Sequence, residues 1–320
     1  MTKPKILLSR AWPKAAEDRA KRDFDATLNA TDIPLSADDW KAAAAEYDAI
    51  CPTVSDQLPP DFLTGASRVK ILGNFGVGHN HIDLGAAASA GVVVTNTPGV
   101  LTDCTADIAM GLLIAAARRM GEGERLVRAD AWEGWGPTQL IGRKVSGATL
   151  GIIGFGRIGR AMARRAYHGF GMKIVVYNRS PVADLAEYGA VQLDRVEDVC
   201  AAADFVSLHC PGGAETRHIM SASAIAAMKS TGILVNTARG DVVDEGALSD
   251  ALAAGRIGGA GLDVYEAEPH VPAALRSLDN VVVAPHLGSA TMETRVAMGM
   301  MALDNLAAFF AGQEPPNRIA

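Results

Sequence analysis

The sequence is poor in cysteine and contains no pattern that would pair the few it has. Four cysteines occur among 320 residues, at Cys51, Cys104, Cys200 and Cys210. None forms a Cys-x-x-Cys pair, and no histidine-rich partner stands at the spacing of a zinc site. We therefore expect four free thiols in a reducing compartment, with no disulfide framework and no bound metal.

Basic clusters and long apolar segments are also scarce. The net charge of −6 and the lack of a dense Lys/Arg block argue against a nucleic-acid partner. The uncharged stretch Leu84–Thr102 is interrupted by Asn96 and Pro98, which disfavours a membrane span. The first residues carry no apolar segment of the secretory type. A cytoplasmic protein that contacts no membrane is expected.

Hydrophobic residues, 49% of the chain, occur in short runs that alternate with helical patterns. Such alternation predicts an α/β protein with two doubly wound, open parallel sheets. In the second half, strands are predicted at residues 149–153, 173–177, 204–208, 232–236, 259–263 and 280–284. The Pro98-Gly99 breaker and the apolar helical stretch Ser289–Ala311 mark two crossings between domains. We expect residues 1–99 and 288–320 to form one domain and residues 100–287 the other.

A glycine-rich turn follows the first of these predicted strands. The apolar run Leu150–Ile153 leads into Gly154-x-Gly156-x-x-Gly159 and a helical stretch. In a dinucleotide fingerprint the first glycine permits the tight turn, the second admits the pyrophosphate, and the third lets helix pack on strand. The helix N-terminus then offers N–H groups to phosphate. The predicted cofactor-binding residues of this turn are Gly154, Phe155, Gly156, Arg157, Ile158 and Gly159.

The end of the next predicted strand carries the residues that distinguish NAD from NADP. An Asp or Glu about 20 residues beyond the glycines normally binds the ribose hydroxyls of NAD. This sequence has Asn178, Arg179 and Ser180 there. The missing carboxylate removes repulsion toward a 2′-phosphate, and guanidinium and hydroxyl groups offer hydrogen bonds to it. NADP(H) is the predicted cofactor, with NAD(H) as the alternative, although these residues also suit an ordinary polar turn.

Polar residues follow three later predicted strands. Arg239 follows the fourth strand, Asp263 and Glu268 the fifth, and His286 the sixth. Open α/β sheets bind their ligands at the carboxyl ends of strands. Each residue taken alone is more often a surface or packing residue. Together they provide a cation for a substrate carboxylate and an acid for a developing alkoxide, as carbonyl reduction requires.

Six segments, taken in order, carry a family resemblance. They are Gly76-Val-Gly78, Asn96-Thr-Pro98-Gly99, Gly151 to Gly159, Asn236-Thr-Ala-Arg239-Gly240, Gly261 to Pro269, and Pro285-His286. These segments resemble the D-isomer-specific 2-hydroxyacid dehydrogenase family over essentially the whole chain. The tracts Leu101–Asp107, Trp132–Trp135 and Tyr177–Ser180 are similar to its glyoxylate/hydroxypyruvate reductase branch, which commonly prefers NADPH. The resemblance implies a Rossmann-type cofactor domain inserted in a flavodoxin-like substrate domain.

The resemblance also implies a role for each catalytic residue. His286 would donate a proton to the 2-keto oxygen, and Glu268 would pair with it and favour the protonated imidazole. Arg239 would hold the substrate carboxylate or keto oxygen in a bidentate grip. The backbone N–H groups of Val77 and Gly78 would complete a substrate site that Arg239 and His286 share.

Further cofactor contacts are implied by the same resemblance. Asp263 would meet the nicotinamide carboxamide, and Thr237 and Ala238 would line the ring. The other implied contacts are Thr105, Cys210, Pro211, Thr216 and Gly288.

Two segments depart from the family's pattern. His79 and His81 stand in a stretch where the family often has Gly-Val-Gly-x-Asp-Asn-Ile-Asp, and we interpret them as substitutions on a helix start. The turn Cys210–Gly213 is richer in glycine than the family's usual Pro-Leu-Thr. Its effect on adenine-side contacts stays open.

These patterns favour NADPH-dependent reduction of glyoxylate, hydroxypyruvate or a similar small 2-keto acid. A bulkier 2-hydroxy acid is an alternative substrate, because the preference for substrate size depends on the Leu72–Phe75 loop and on the loop that contains Trp132 and Trp135. A nucleotide-sensing binding protein of the corepressor type also fits, since such proteins occupy the same three catalytic positions. Formate oxidation fits less well, because relatives of that type carry Gln at the position of Glu268. A homodimer is expected, with Trp132 or Trp135 at its contact, and a packed loop is the alternative.

Overall fold

Two parallel sheets organise the chain, one in each of two units. The computed structural model describes residues 2–65 and 67–320. One unit runs to Leu101 and takes up the chain again at Ala290–Ala320, and the other is Thr102–Ser289. Which unit binds which molecule stays a prediction.

The elements are as follows in chain order. The strands are β1 (Lys5–Leu8), β2 (Asp25–Leu28), β3 (Ala49–Cys51), β4 (Ile71–Gly73), β5 (Val93–Thr95), β6 (Thr149–Ile153), β7 (Lys173–Tyr177), β8 (Ala190–Gln192), β9 (Phe205–Leu208), β10 (Ile233–Asn236), β11 (Gly259–Leu262) and β12 (Val281–Val283). The α-helices are α1 (Lys14–Asp23), α2 (Ala37–Glu46), α3 (Leu84–Ser89), α4 (Thr102–Ala117), α5 (Met120–Arg128), α6 (Arg157–Arg164), α7 (Val196–Ala202), α8 (Ala222–Ala227), α9 (Glu245–Ala253), α10 (Ala273–Arg276) and α11 (Met292–Phe310). A π-helical turn continues α6 at Arg165–Gly169, and 3-10 turns lie at Leu185–Tyr188 and Gly240–Val242.

The first unit holds a five-stranded sheet in the order β2-β1-β3-β4-β5, with every strand pair parallel. This is the flavodoxin-like order. The two faces of β1 enter different cores, since Leu7 packs in one cluster and Ile6 and Leu8 in another. Helix α11 packs closely on this sheet, because a Cβ at Gly73 would lie 2.4 Å from Leu306 Cδ1.

The second unit holds a seven-stranded sheet in the order β12-β11-β10-β9-β6-β7-β8, again entirely parallel. Leu150 and Ile152 of β6 face one core and Ile153 faces the other. The strand order reverses between β6 and β9. An open α/β sheet binds its ligand at the carboxyl ends beside such a reversal.

These sheets confirm the predicted fold class, and the differences lie at edges and helix ends. Strands β2 and β8 were not predicted, because each lies at a sheet edge and is short and largely unburied. Helix α4 does not continue into α5, since Arg119 between them adopts a positive φ of 53° and is the N-cap of α5. Within residues 2–65 and 67–320, no helix combines the length and apolarity needed to cross a membrane.

Candidate active site

The glycine fingerprint lies at the carboxyl end of β6, beside the reversal of strand order. Gly154 has φ +91°, and a Cβ there would lie 2.4 Å from Cys210 N. A Cβ at Gly159 would lie 2.3 Å from Gly154 O, so helix α6 packs directly on the turn. Gly156 is the N-cap of α6 and has open space around its Cβ position. Two glycines are thus required by close packing and the third leaves the helix N-terminus accessible, which fits a bound dinucleotide.

Asn178 lies at the end of β7 and stabilises the fingerprint turn. Its Oδ1 accepts the Phe155 N–H at 3.0 Å, and its Nδ2 donates to Ser180 O at 2.9 Å. Gln192 of β8 donates to Asn178 O at 3.1 Å. Both polar groups of the Asn178 side chain are therefore used in hydrogen bonds within the protein, and the nearby positive charge is that of Arg179.

Arg179 is that neighbouring charge. Its side chain is 81% exposed and forms an ion pair with Glu215, which is itself 78% exposed. Such a pair is screened by water and readily exchanged. The guanidinium is therefore accessible to an anionic ligand at this edge of the sheet.

The segment after β10 is shaped by Asn236 and by a close backbone approach. Asn236 is buried, donates from Nδ2 to Arg239 O at 2.8 Å and accepts the Ala238 N–H at 3.0 Å. A Cβ at Gly240 would lie 1.9 Å from Tyr265 C, so only glycine fits. This approach sets the Arg239 segment against the segment that contains Glu268.

Arg239 is a partly buried cation in this arrangement. Burial lowers the pKa of Arg239, and the negative charges of Glu268 and Asp241 act in the opposite direction. Its Nη1 donates to Ala238 O at 2.6 Å. The rest of its planar fork remains for a carboxylate.

His286 and Glu268 form a hydrogen-bonded pair. The distance from His286 Nδ1 to Glu268 Oε2 is 2.8 Å, and the Tyr265 N–H donates to Glu268 Oε1 at 3.0 Å. Burial raises the pKa of Glu268, but the hydrogen bond and charge of His286 outweigh it, so the net shift is downward. Because Nδ1 engages the carboxylate, Nε2 is the ring nitrogen left to face a substrate.

Asp263 holds the loop that carries His286. It is 1% exposed, and its two carboxylate oxygens accept the Leu287 N–H at 2.6 Å and the Gly288 N–H at 2.8 Å. Its backbone oxygen accepts the His286 N–H at 2.9 Å. Burial raises the pKa of Asp263, while these N–H groups and the charge of His286 lower it. The sequence reasoning missed this anchoring role, and its contact with a nicotinamide carboxamide stays a prediction.

Thr105 joins the same loop from α4, since its Oγ1 donates to Gly288 O at 3.0 Å. A Cβ at Gly288 would lie 3.4 Å from both Asp263 Oδ2 and Thr105 Oγ1. The structure therefore brings Thr105, Asp263 and Gly288 together near His286, as a group of predicted cofactor contacts supplied by α4 and by the segments after β11 and β12.

The turn after β9 contains the predicted contacts Cys210, Pro211 and Thr216. Thr216 Oγ1 donates to Pro211 O at 2.5 Å. The Gly213 N–H donates to Asp241 Oδ2 at 2.9 Å. Asp241 was not among the predicted site residues, and its only sequence signal is its position two residues after Arg239.

Val77 and Gly78 lie in the first unit, in a turn held by asparagines. Asn74 donates from Nδ2 to the oxygens of Gly76 and Gly78, both at 3.0 Å, and Asn96 donates to Val77 O at 2.9 Å. In the described part of the chain, no hydrogen bond is donated by the N–H of Val77 or Gly78. The carbonyl oxygens of Gly76, Val77 and Gly78 therefore accept hydrogen bonds from asparagine side chains. The N–H groups of Val77 and Gly78 remain available to an anion.

His79 and His81, in the segment that departs from the family's pattern, precede α3 and are not on its first turn. Asp83 is the N-cap of α3, and His79 accepts the Ile82 N–H in the turn before it. The interpretation of His79 and His81 as residues of a helix start was therefore wrong by a few positions. Among the described residues, no group of three or more His, Cys, Asp or Glu side chains is arranged to hold a metal ion.

Comparison with known proteins gives consistent matches. Residues 110–288 match the family model described as D-isomer specific 2-hydroxyacid dehydrogenase, NAD binding domain. The chain is 42% identical to the glyoxylate reductase of Thermococcus litoralis, over 99% of this chain and 97% of that protein. The NADPH-dependent glyoxylate/hydroxypyruvate reductase from Sinorhizobium meliloti, solved in complex with NADP and malonate, is 35% identical with a TM-score of 0.87. That match covers 100% of this chain and 97% of the other.

A further solved structure, of a Thermus thermophilus protein, is 39% identical with a TM-score of 0.90 and covers 99% of this chain and 100% of that one. The predicted family is thus confirmed both by the family model and by full-length relatives. The chain belongs to the D-isomer-specific 2-hydroxyacid dehydrogenase family and is an NAD(P)-dependent oxidoreductase.

Proposed function

We propose that the protein uses NADPH to reduce a small 2-keto acid, such as glyoxylate or hydroxypyruvate, to the 2-hydroxy acid. The observation that carries the proposal is the His286–Glu268 pair at 2.8 Å, in the unit that also holds Arg239 and the glycine fingerprint. A proton donor, a cation and a phosphate-binding turn are the groups that reduction of a charged carbonyl compound needs. The relatives named glyoxylate reductase support the same substrate class.

His286 supplies the proton. A bound nicotinamide supplies the hydride to the keto carbon, and the keto oxygen takes a proton from His286 Nε2 as its charge develops. Glu268 holds Nδ1, which fixes the direction of the ring and leaves Nε2 to face the keto oxygen. After product release the imidazole regains a proton from water. The reaction consumes one keto acid, one NADPH and one proton.

Arg239 binds the carboxylate that all candidate substrates share. Its planar fork can form two parallel hydrogen bonds to one carboxylate, which also orients the adjacent keto group. The unused N–H groups of Val77 and Gly78 suit the same anion. Because these two residues belong to the other unit, their share in the site stays a prediction.

NADPH is the proposed cofactor because of the residues at the end of β7. No carboxylate stands at the position of Asn178, and Arg179 presents an exposed guanidinium to solvent. Glu215, the partner of Arg179, is exposed too, so a phosphate can replace it at small cost. The related structure from Sinorhizobium meliloti is of an NADPH-dependent enzyme with NADP bound, which supports this choice.

We also propose that two copies of the chain associate through α5 and the loop after it. Helix α5 has no buried residue. The exposed apolar side chains of this region are Met120, Val127, Trp132, Trp135 and Ile141, each more than half exposed. A monomer rarely leaves so many large apolar groups in one stretch. A second copy would cover them.

A steady-state survey tests the proposed function. The purified protein is assayed with NADPH and with NADH against glyoxylate, hydroxypyruvate, pyruvate and bulkier 2-keto acids. We expect the highest kcat/KM for a small acid with NADPH. Cofactor binding without turnover on any acid would favour the nucleotide-sensing alternative.

A further inference from the structure

The turn Cys210–Gly213 touches the cofactor fingerprint on one side and the substrate arginine on the other. Toward β6, a Cβ at Gly154 would lie 2.4 Å from Cys210 N. Toward β10, a Cβ at Gly212 would lie 3.0 Å from both Cβ and Cγ of Arg239. Strand β9 lies between β6 and β10 in the sheet. The turn is therefore packed closely between the glycines of the fingerprint and the stem of Arg239.

Asp241 fixes the turn in place. Its Oδ2 accepts the Gly213 N–H at 2.9 Å. Its Oδ1 is buried, has no hydrogen-bond partner in the described part of the chain, and lies 2.5 Å from the point that a Cβ of Gly212 would occupy. Any side chain at position 212 would collide with this oxygen. Glycine at position 212 thus leaves room for this oxygen.

Asp241 also places a negative charge beside Arg239. Its charge acts on the guanidinium in the same direction as that of Glu268. Two carboxylates near one cation weaken its attraction for a third anion, because their fields partly cancel its own. The anion affected is the carboxylate of the substrate.

We propose that Asp241 is a positioning residue that couples the Cys210–Gly213 turn to Arg239 and limits the affinity of Arg239 for the substrate carboxylate. The hydrogen bond to Gly213 provides the coupling, and the adjacent charge provides the limit. This inference rests on the proposed role of Arg239 in binding the keto acid. Wild-type turnover on 2-keto acids tests that role independently.

The charge is tested with Asp241→Asn, which keeps an oxygen to accept the Gly213 N–H. We expect the KM for the keto acid, and the inhibition constant of the unreactive dicarboxylate malonate, to fall by about 2- to 5-fold, with a smaller change in kcat. Asp250→Asn is the matched control, because Asp250 is exposed on α9 and its constants should stay at the wild-type values. Unchanged or raised constants in Asp241→Asn would overturn the electrostatic part.

The coupling between the Cys210–Gly213 turn and Asp241 is tested by a double-mutant cycle, which does not depend on the charge of Asp241 alone. Gly212→Ala should raise the KM for the keto acid by roughly tenfold in the wild-type background, because its Cβ meets Asp241 Oδ1. In the Asp241→Ala background the oxygen at 2.5 Å is gone and only the approach to Arg239 Cβ and Cγ at 3.0 Å remains, so the same substitution should raise KM by a clearly smaller factor, about 2- to 3-fold. An equal factor in both backgrounds would show that the two residues are not coupled. If the wild-type enzyme reduces 2-keto acids and the factors are nonetheless equal, this inference is overturned and the proposed function stands.

Discussion

His286 Nδ1 lies 2.8 Å from Glu268 Oε2, and the other oxygen of that carboxylate accepts the Tyr265 N–H. The carboxylate is thus held by a hydrogen bond at each of its two oxygens. Its pKa is lowered despite burial, so it is ionised throughout the range in which a histidine exchanges its proton. Nδ1 is therefore occupied by an ionised carboxylate, and Nε2 is the ring nitrogen left free of it.

Glu268→Gln tests the electrostatic half of this pair. Because the folded-state pKa of Glu268 is lowered, its charge is present above the ordinary value of about 4.3 and is lost only as pH falls through the lowered value. Glutamine keeps a hydrogen-bond acceptor for the imidazole but has no charge to lose as the pH falls. We expect kcat/KM for keto-acid reduction to fall, and the acid-side decline that protonation of Glu268 causes in the wild type to disappear in the variant. A pH profile identical to that of the wild type would contradict the pairing.

Arg179→Ala and Glu215→Gln test the choice of cofactor from opposite directions. Removing the guanidinium should raise the KM for NADPH about tenfold or more, with little effect on NADH, because only NADPH carries the 2′-phosphate. Removing the competing carboxylate should lower the KM for NADPH by about 2- to 5-fold, as expected for an exposed pair. Glu187→Gln, another exposed carboxylate, is the control. Equal effects on the two cofactors would argue against phosphate recognition at Arg179.

Gly240→Ala tests the close approach that sets Arg239 against the Glu268 segment. The added Cβ would lie 1.9 Å from Tyr265 C and 2.2 Å from Glu266 N, where backbone cannot yield cheaply. We expect a loss of about 1–3 kcal/mol in stability, which corresponds to a Tm lower by roughly 2–12 °C. Gly246→Ala is the matched control, since its Cβ would meet only Asp244 Oδ1 at 3.5 Å and alanine favours the helix. Calorimetry that shows the same Tm for both variants would refute the packing argument.

Trp135→Ser tests the proposed association of two copies. Trp135 is 83% exposed, and a polar residue there should weaken a contact formed by the α5 region. Sedimentation should show a dimer for the wild type and a larger monomer fraction for the variant. Val191→Ser, at a 57% exposed apolar residue on edge strand β8, should leave the distribution unchanged. A monomeric wild type would remove the proposal.

Local patterns were enough to predict the two sheets and the residues that follow their strands. Each predicted site element lies within a few residues of the end of a predicted strand. These elements are the turn at Gly154–Gly159, Arg239, Glu268 and His286. Parallel strands then bring their carboxyl ends to one edge without further information.

Contacts between distant segments could not be predicted in this way. The bond from Gly213 to Asp241 joins residues 28 positions apart, and no periodic pattern links them. The anchoring role of Asp263 could not be predicted either, because its carboxylate accepts hydrogen bonds from the backbone N–H groups of Leu287 and Gly288, which are distant in sequence. Edge strands β2 and β8 were missed because they bury too little to show an apolar run.

The most direct test of the central claim is product analysis with glyoxylate and NADPH, using the wild type and His286→Ala. The wild type should form one glycolate for each NADPH oxidised. His286→Ala should lower kcat by about 10²-fold or more as the general acid is lost, while His168→Ala, at an exposed histidine, should not. No glycolate from the wild type, or near-normal turnover in His286→Ala, would contradict the account.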